Sequence, residues 1–125
     1  MTESAVNEPF SLFTTSALLG DDLKVSALGS DGSASDGWVV GVQHVAESWA
    51  EWRRQPDGDA LLFLLWGAAV VLTTQDPAED ATSDDLKAAS AFIVPSGTWY
   101  RVTVEEPSNL LTAVRAGGTE SRPVS

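Results

Sequence analysis

Valine-rich and alternating stretches dominate the chain from Trp38 onward. "WVVGVQHVAES" carries no helical cap and reads as a strand. "LLFLLWGAAVVLTT", Leu61 to Thr74, is apolar throughout. One long buried helix would fit its length, but Gly67 stands at its centre and Val70, Val71 and Thr73 follow, so the preferred reading is two strands. "AFIVP" is a strand that must stop at Pro95, because proline cannot donate to a ladder. "YRVTVEE" alternates, and "SNLLTAVRA" after Pro107 is a further strand. Short strands broken by Gly and Pro turns predict an all-β fold, a sandwich or a closed barrel.

The remaining stretches are less periodic. Residues 1–29 hold scattered apolar positions, and "TTSALLGDDLKVSAL" suits a short helix or an edge strand. "GSDGSASDG", residues 29–37, reads as a flexible polar connection. "QDPAEDATSDD", residues 75–85, reads as a polar loop, "LKAAS" as a short strand or turn, and "GGTESRPVS" as a tail. The division expected is an N-terminal segment with linker over 1–37 and a barrel over 38–125, one domain overall.

Strand period two makes a finer statement about "LLFLLW". Leu62, Leu64 and Trp66 should share the inward face with position 60. Leu61, Phe63 and Leu65 then face outward and need a cover, either the N-terminal segment or a second subunit.

Charge and chemistry narrow the function classes. Net charge is −11, from eighteen Asp and Glu against seven Lys and Arg, which disfavours nucleic acid and anionic membrane as partners. With neither a long apolar span nor a basic, apolar leader, the expectation is a soluble cytoplasmic protein. Cysteine is absent, so disulfides, thiolate catalysis and sulfur-ligated zinc are excluded. His44 is the single histidine, so no site with two histidines can form within one chain. Neither G-x-S-x-G nor a phosphate-binding glycine pattern occurs. Asp76, Glu79, Asp80, Asp84 and Asp85 lack the EF-hand spacing and read as a solvated loop.

"QPDGDALLFLLWGAAVVL" followed by "AFIVPSGTWYRVTVEEPSNLLTAVRAGGTESRP" resembles a small single-domain cupin. Related sequences read HP-x-GDEL-x-x-x-L-x-G and then VP-x-G-x-WH. The resemblance implies a double-stranded β-helix, a jelly-roll barrel, that forms homodimers. It also implies a divalent metal held by three histidines and a glutamate inside the barrel. Aligned on Gly67, the first two histidine positions fall on Arg53 and Gln55 and the glutamate on Ala60. Aligned on Pro95 and Gly97, the third histidine falls on Tyr100, an upstream glycine on Ala89 and an asparagine on Val104. The turn residues Pro56, Gly58, Gly67, Pro95 and Gly97 are kept. Arginine cannot ligate a metal and alanine has no donor, so the expectation is no metal and no cofactor.

Arg53, Gln55 and Tyr100 should therefore converge inside the barrel. The Tyr100 hydroxyl should point inward, within reach of Gln55 or Arg53. A guanidinium, an amide and a phenol would suit a small polar or anionic ligand. Equally, they could fill the emptied metal site and hydrogen-bond each other. Arg53 then needs an acid such as Glu51 or Asp59, or must face the mouth. His44 has no evident carboxylate or serine partner and reads first as a structural or exposed residue. The Asp57 and Asp59 pair sits in a turn where aspartate is favoured for backbone reasons. The leading expectation is a metal-independent binding protein for a small molecule, with no catalytic residue. The alternatives are a metal-independent isomerase, epimerase or lyase, and a structural dimer with a plugged barrel.

Overall fold

The structure, a computed structural model, describes residues 9–28 and 36–124. Residues 1–8 and most of the 29–37 connection lie outside the described residues. Every regular element described is a strand: β1 (Ala17–Leu19), β2 (Val25–Ala27), β3 (Trp38–Val45), β4 (Glu51–Arg54), β5 (Ala60–Trp66), β6 (Ala68–Thr74), β7 (Thr82–Lys87), β8 (Ala91–Val94), β9 (Trp99–Val104), β10 (Ser108–Arg115) and β11 (Glu120–Pro123). They form a six-stranded sheet ordered β2-β1-β3-β10-β5-β8 and a five-stranded sheet ordered β11-β4-β9-β6-β7, with antiparallel pairing throughout. The two sheets wrap a jelly-roll barrel, and no described helix is long and apolar enough to cross a membrane.

The split of the long apolar run at Gly67 has a steric cause. Gly67 takes φ 104° to reverse β5 into β6. A Cβ there would stand 2.8 Å from the Ser108 Cα. Ser108, itself fully buried, closes this corner by accepting from Ala68 N–H (3.2 Å) and donating to the Glu106 carbonyl (3.1 Å).

Inward positions pack from both sheets. Ala60, Leu62 and Leu64 of β5 are 0–1% exposed and meet Val71, Val102 and Leu110 in one cluster. Trp66 breaks the expected alternation, being 67% exposed. The reason lies in the register: Leu64 pairs with Leu110 but Trp66 pairs with Asn109. Leu65 is thus a bulge residue, and a bulge turns everything beyond it to the other face.

Two other stretches differ from expectation. "TSDDLK" is not loop but β7, an edge strand whose only buried residue is Leu86. Its aspartates face solvent and blunt the open edge against further pairing. "ESRP" is not tail but β11, paired to β4 and tied by an Arg54–Glu120 ion pair at 2.6 Å. The stretch before Leu28 takes the edge-strand alternative: β1 and β2 form a hairpin that widens the six-stranded sheet sideways.

Candidate functional site

Two turns bring the candidate residues together. The 95–98 turn is bolted to the 55–59 turn: Gly97 N–H donates to the Gln55 carbonyl (3.0 Å), Ser96 Oγ donates to the Pro56 carbonyl (3.1 Å), and Ser96 N–H donates to Asp59 Oδ1 (2.9 Å). Asp59 therefore serves the backbone. Beyond the turns, Arg53 of β4 stands directly opposite Tyr100 of β9. Opposed residues in an antiparallel pair share a face, so both project toward the interior.

Tyr100 is 2% exposed and Gln55 3%. Gln55 Nε2 donates to the Tyr100 hydroxyl at 3.0 Å. Gln55 Oε1 in turn accepts from Thr119 Oγ1 at 3.1 Å. The rest of Tyr100 belongs to the core cluster with Leu62, Leu64 and Val102. Burial pushes its phenol above the ordinary value, outweighing the Gln55 hydrogen bond and the Arg53 charge, which pull it down.

Arg53 lies nearer the surface, with its side chain 30% exposed. Its Nε donates to Glu51 Oε2 at 3.0 Å, so its acid is Glu51 rather than Asp59. Its guanidinium lies 3.9 Å from the centre of the Trp49 ring, and Trp49 packs 5.9 Å from the Tyr100 ring at 57°. Arg53, Trp49 and Tyr100 thus form one stack leading from the rim to the core. Trp49 Nε1 is buried and has no hydrogen-bond partner among the described residues.

The fit of this site to a divalent metal is poor. Its four ligand positions carry Arg53, Gln55, Ala60 and Tyr100, and Tyr100 and Gln55 already use their oxygens on each other and on Thr119. Among the described residues, no three His, Cys, Asp or Glu side chains cluster as a metal would require. Arg53, Gln55 and Tyr100 line none of the described surface concavities, and Ala60 lines one, on the outer side with Trp38, Leu61 and Ile93.

His44 lies outside the barrel. It is exposed on β3, where its Nδ1 sits 2.8 Å from Asn109 Oδ1. Sequence reasoning missed Thr119 and Ser121. Thr119 and Ser121 are two apart beside β4, and Ser121 Oγ donates to Glu51 at 3.4 Å. The available signal was the small hydroxyl side chains at period two after Gly117 and Gly118.

No family model matches the chain, and no curated protein matches it. Solved structures do. A cupin-2 domain-containing protein from Shewanella frigidimarina is 12% identical, with TM-score 0.54 over 67% of this chain and 76% of that one. A hydroquinone 1,2-dioxygenase from a Sphingomonas species, with 4-hydroxybenzoate bound, is 16% identical, with TM-score 0.56 over 65% of this chain and 60% of that one. A Bacillus halodurans protein is 15% identical, with TM-score 0.59 over 93% of this chain and 78% of that one. At such identities the likeness is one of fold. The chain has the cupin fold, with arginine, glutamine, alanine and tyrosine at the positions where the resembling motifs place metal ligands.

Proposed function

We propose that this chain is a metal-independent, non-catalytic cupin-fold protein whose barrel interior is closed by its own side chains and which acts as a binding or assembly module. The observation that carries this reading is the buried Gln55–Tyr100 hydrogen bond, with Thr119 capping the other end of the Gln55 amide. These groups satisfy one another where the resembling motifs place metal ligands. The isomerase-type alternative needs two groups of different proton affinity facing one cavity. Here His44 stands on the outer surface, and the Tyr100 phenol stays protonated at neutral pH. The test is elemental analysis of the purified chain with a melt in chelator. The reading predicts no stoichiometric metal and a melting temperature indifferent to EDTA. About one equivalent of iron, manganese, zinc or nickel per chain would overturn it.

One observation favours a second reading, a small polar or anionic molecule held near the barrel rim. Trp49 Nε1 has no acceptor, and Trp49 lies between Arg53 and Tyr100. A buried N–H without a partner costs about 1–3 kcal/mol, which a ligand oxygen would relieve. Native mass spectrometry of protein purified without added ligand tests it. An adduct lost in Arg53→Gln supports the second reading; a bare chain favours the first.

A further inference from the structure

The outer side of the five-stranded sheet holds opposite charges apart across a strip of small apolar residues. Ala68 of β6 stands opposite Lys87 of β7, and Val70 stands opposite Asp85. On the other side of β6, Val70 stands opposite Thr103 of β9, and Ala69 opposite Val104. The same antiparallel register, continued by one residue, sets Glu105 beside Ala68. Ala69 and Leu86 are buried, so their neighbours Ala68, Val70, Asp85 and Lys87 face solvent. Lys87 and Glu105 therefore flank a single methyl group, two strand spacings or about 10 Å apart.

Between these walls lies a trough of about 380 Å³, with Glu106 also at its side. No residue of the six-stranded sheet lines it, so it opens outward, away from the barrel interior. Its size is that of a small-molecule site. Opposite charges beside one another would ordinarily close into ion pairs. Among the described residues the ion pairs use Arg53, Arg54, Arg115 and Arg122, and none uses Lys87, Asp85, Glu105 or Glu106. Arg101 of β9 is spent on the Trp49 carbonyl at 2.7 Å.

We infer that this trough binds a small amphoteric molecule, an aliphatic body with an ammonium group at one end and a carboxylate at the other. Three features select that class. First, the floor runs only from Ala68 to Val70, about 7 Å, which suits one small molecule and is too short for an extended peptide. Second, the floor asks for an aliphatic body. Its side chains are a methyl and an isopropyl group, and the Thr103 hydroxyl beside them already donates to the Val70 carbonyl at 3.4 Å. Third, the walls ask for both charges. A plain anion would meet Lys87 but also three carboxylates, Asp85, Glu105 and Glu106. A plain cation would leave Lys87 unmatched. An ammonium toward Glu105 and Glu106 with a carboxylate toward Lys87 bridges the gap that the side chains themselves leave open. The site lies outside the barrel, so a metal inside would overturn the closed-interior reading and leave this one standing.

Amide chemical shifts of the isotopically labelled full chain test it, with 6-aminohexanoate, hexylamine and hexanoate as probes. The range is about 0.1–10 mM, as a weak ligand of about nine heavy atoms requires. The expected result is a saturable shift centred on Ala68, Val70 and Thr103 with 6-aminohexanoate. Hexylamine should bind at least threefold more weakly, and hexanoate should give no saturable shift. Lys87→Met should reduce 6-aminohexanoate to the affinity of hexylamine. Glu105→Gln should weaken both amines at least threefold, and Ala68→Leu, which fills the floor, should abolish binding. If Ala68→Leu fails to fold, the Lys87 and Glu105 variants decide. Glu79→Gln, an exposed acid outside the trough, should change nothing. The inference is overturned by no saturable shift at the top of the range, or by hexylamine or hexanoate binding as tightly as 6-aminohexanoate. It is also overturned by binding that survives Ala68→Leu, or that Glu79→Gln weakens as much as Glu105→Gln, the mark of general attraction to an acidic surface.

Discussion

Gln55 and Tyr100, forty-five residues apart, meet at 3.0 Å in the barrel interior, the amide donating to the phenol oxygen. Each is at most 3% exposed, so neither can turn to water if the other is removed. That relationship makes the interior polar pair a structural unit, and it sets the first prediction. Tyr100→Phe strands the Gln55 N–H and should cost about 1–3 kcal/mol in urea melts. Adding Gln55→Leu should recover much of that loss, because the exposed Thr119 hydroxyl can return to water. A double variant whose loss equals the sum of the two single losses would show that the pair does not interact.

Ala89 offers a prediction of opposite sign. It adopts φ 68° in the turn between β7 and β8, with its N–H held by the Leu64 carbonyl at 2.7 Å. This is the position where the resembling motif carries glycine. An L-residue there costs roughly 1–2 kcal/mol, part of which glycine returns as unfolded-state entropy. Ala89→Gly should therefore raise stability by about 0.5–1 kcal/mol, read as a later urea midpoint at unchanged slope. A lower midpoint would contradict it.

Two glycines with positive φ should respond differently to alanine. Gly97, at φ 82°, has nothing within 4 Å of an added Cβ, so Gly97→Ala should cost only the conformational strain of about 1–2 kcal/mol. At Gly67 the same strain adds to a collision with the Ser108 backbone, so Gly67→Ala should cost several kcal/mol or abolish folding. Parallel melts check the ranking, and equal losses would refute the steric account of the β5–β6 corner.

What the sequence made legible follows from how strongly each residue is constrained. Period two fixed the inward face of Ala60, Leu62 and Leu64, and the Pro95–Gly97 turn carried Tyr100 inward opposite Arg53. Trp66 escaped because a bulge has no hydrophobic signature: one extra residue, Leu65, is as apolar as its neighbours. β7 was hidden because an edge strand with one buried residue reads as a polar loop. β11 was hidden because its burial pattern is exposed throughout; it is held by ladder bonds and by Arg54–Glu120, which no hydropathy pattern records. Without β11, Thr119 could not be placed beside Gln55.

The closed interior is tested most directly through Tyr100, which is the only tyrosine in the chain. Spectrophotometric titration of tyrosinate absorbance therefore reports this one residue. Its folded-state value is raised above the ordinary 10.0, chiefly by burial. The stability this group contributes is thus complete below about pH 10 and is lost as pH climbs toward the raised folded value, because the unfolded chain releases the proton first. The account predicts less tyrosinate at pH 10 than a free phenol gives, ionisation at higher pH and coincident with loss of the fold, and a Tyr100→Phe variant whose alkaline loss of stability is shallower. A smooth titration centred near 10 with the fold intact would mean that water reaches the phenol, and the closed barrel would be contradicted.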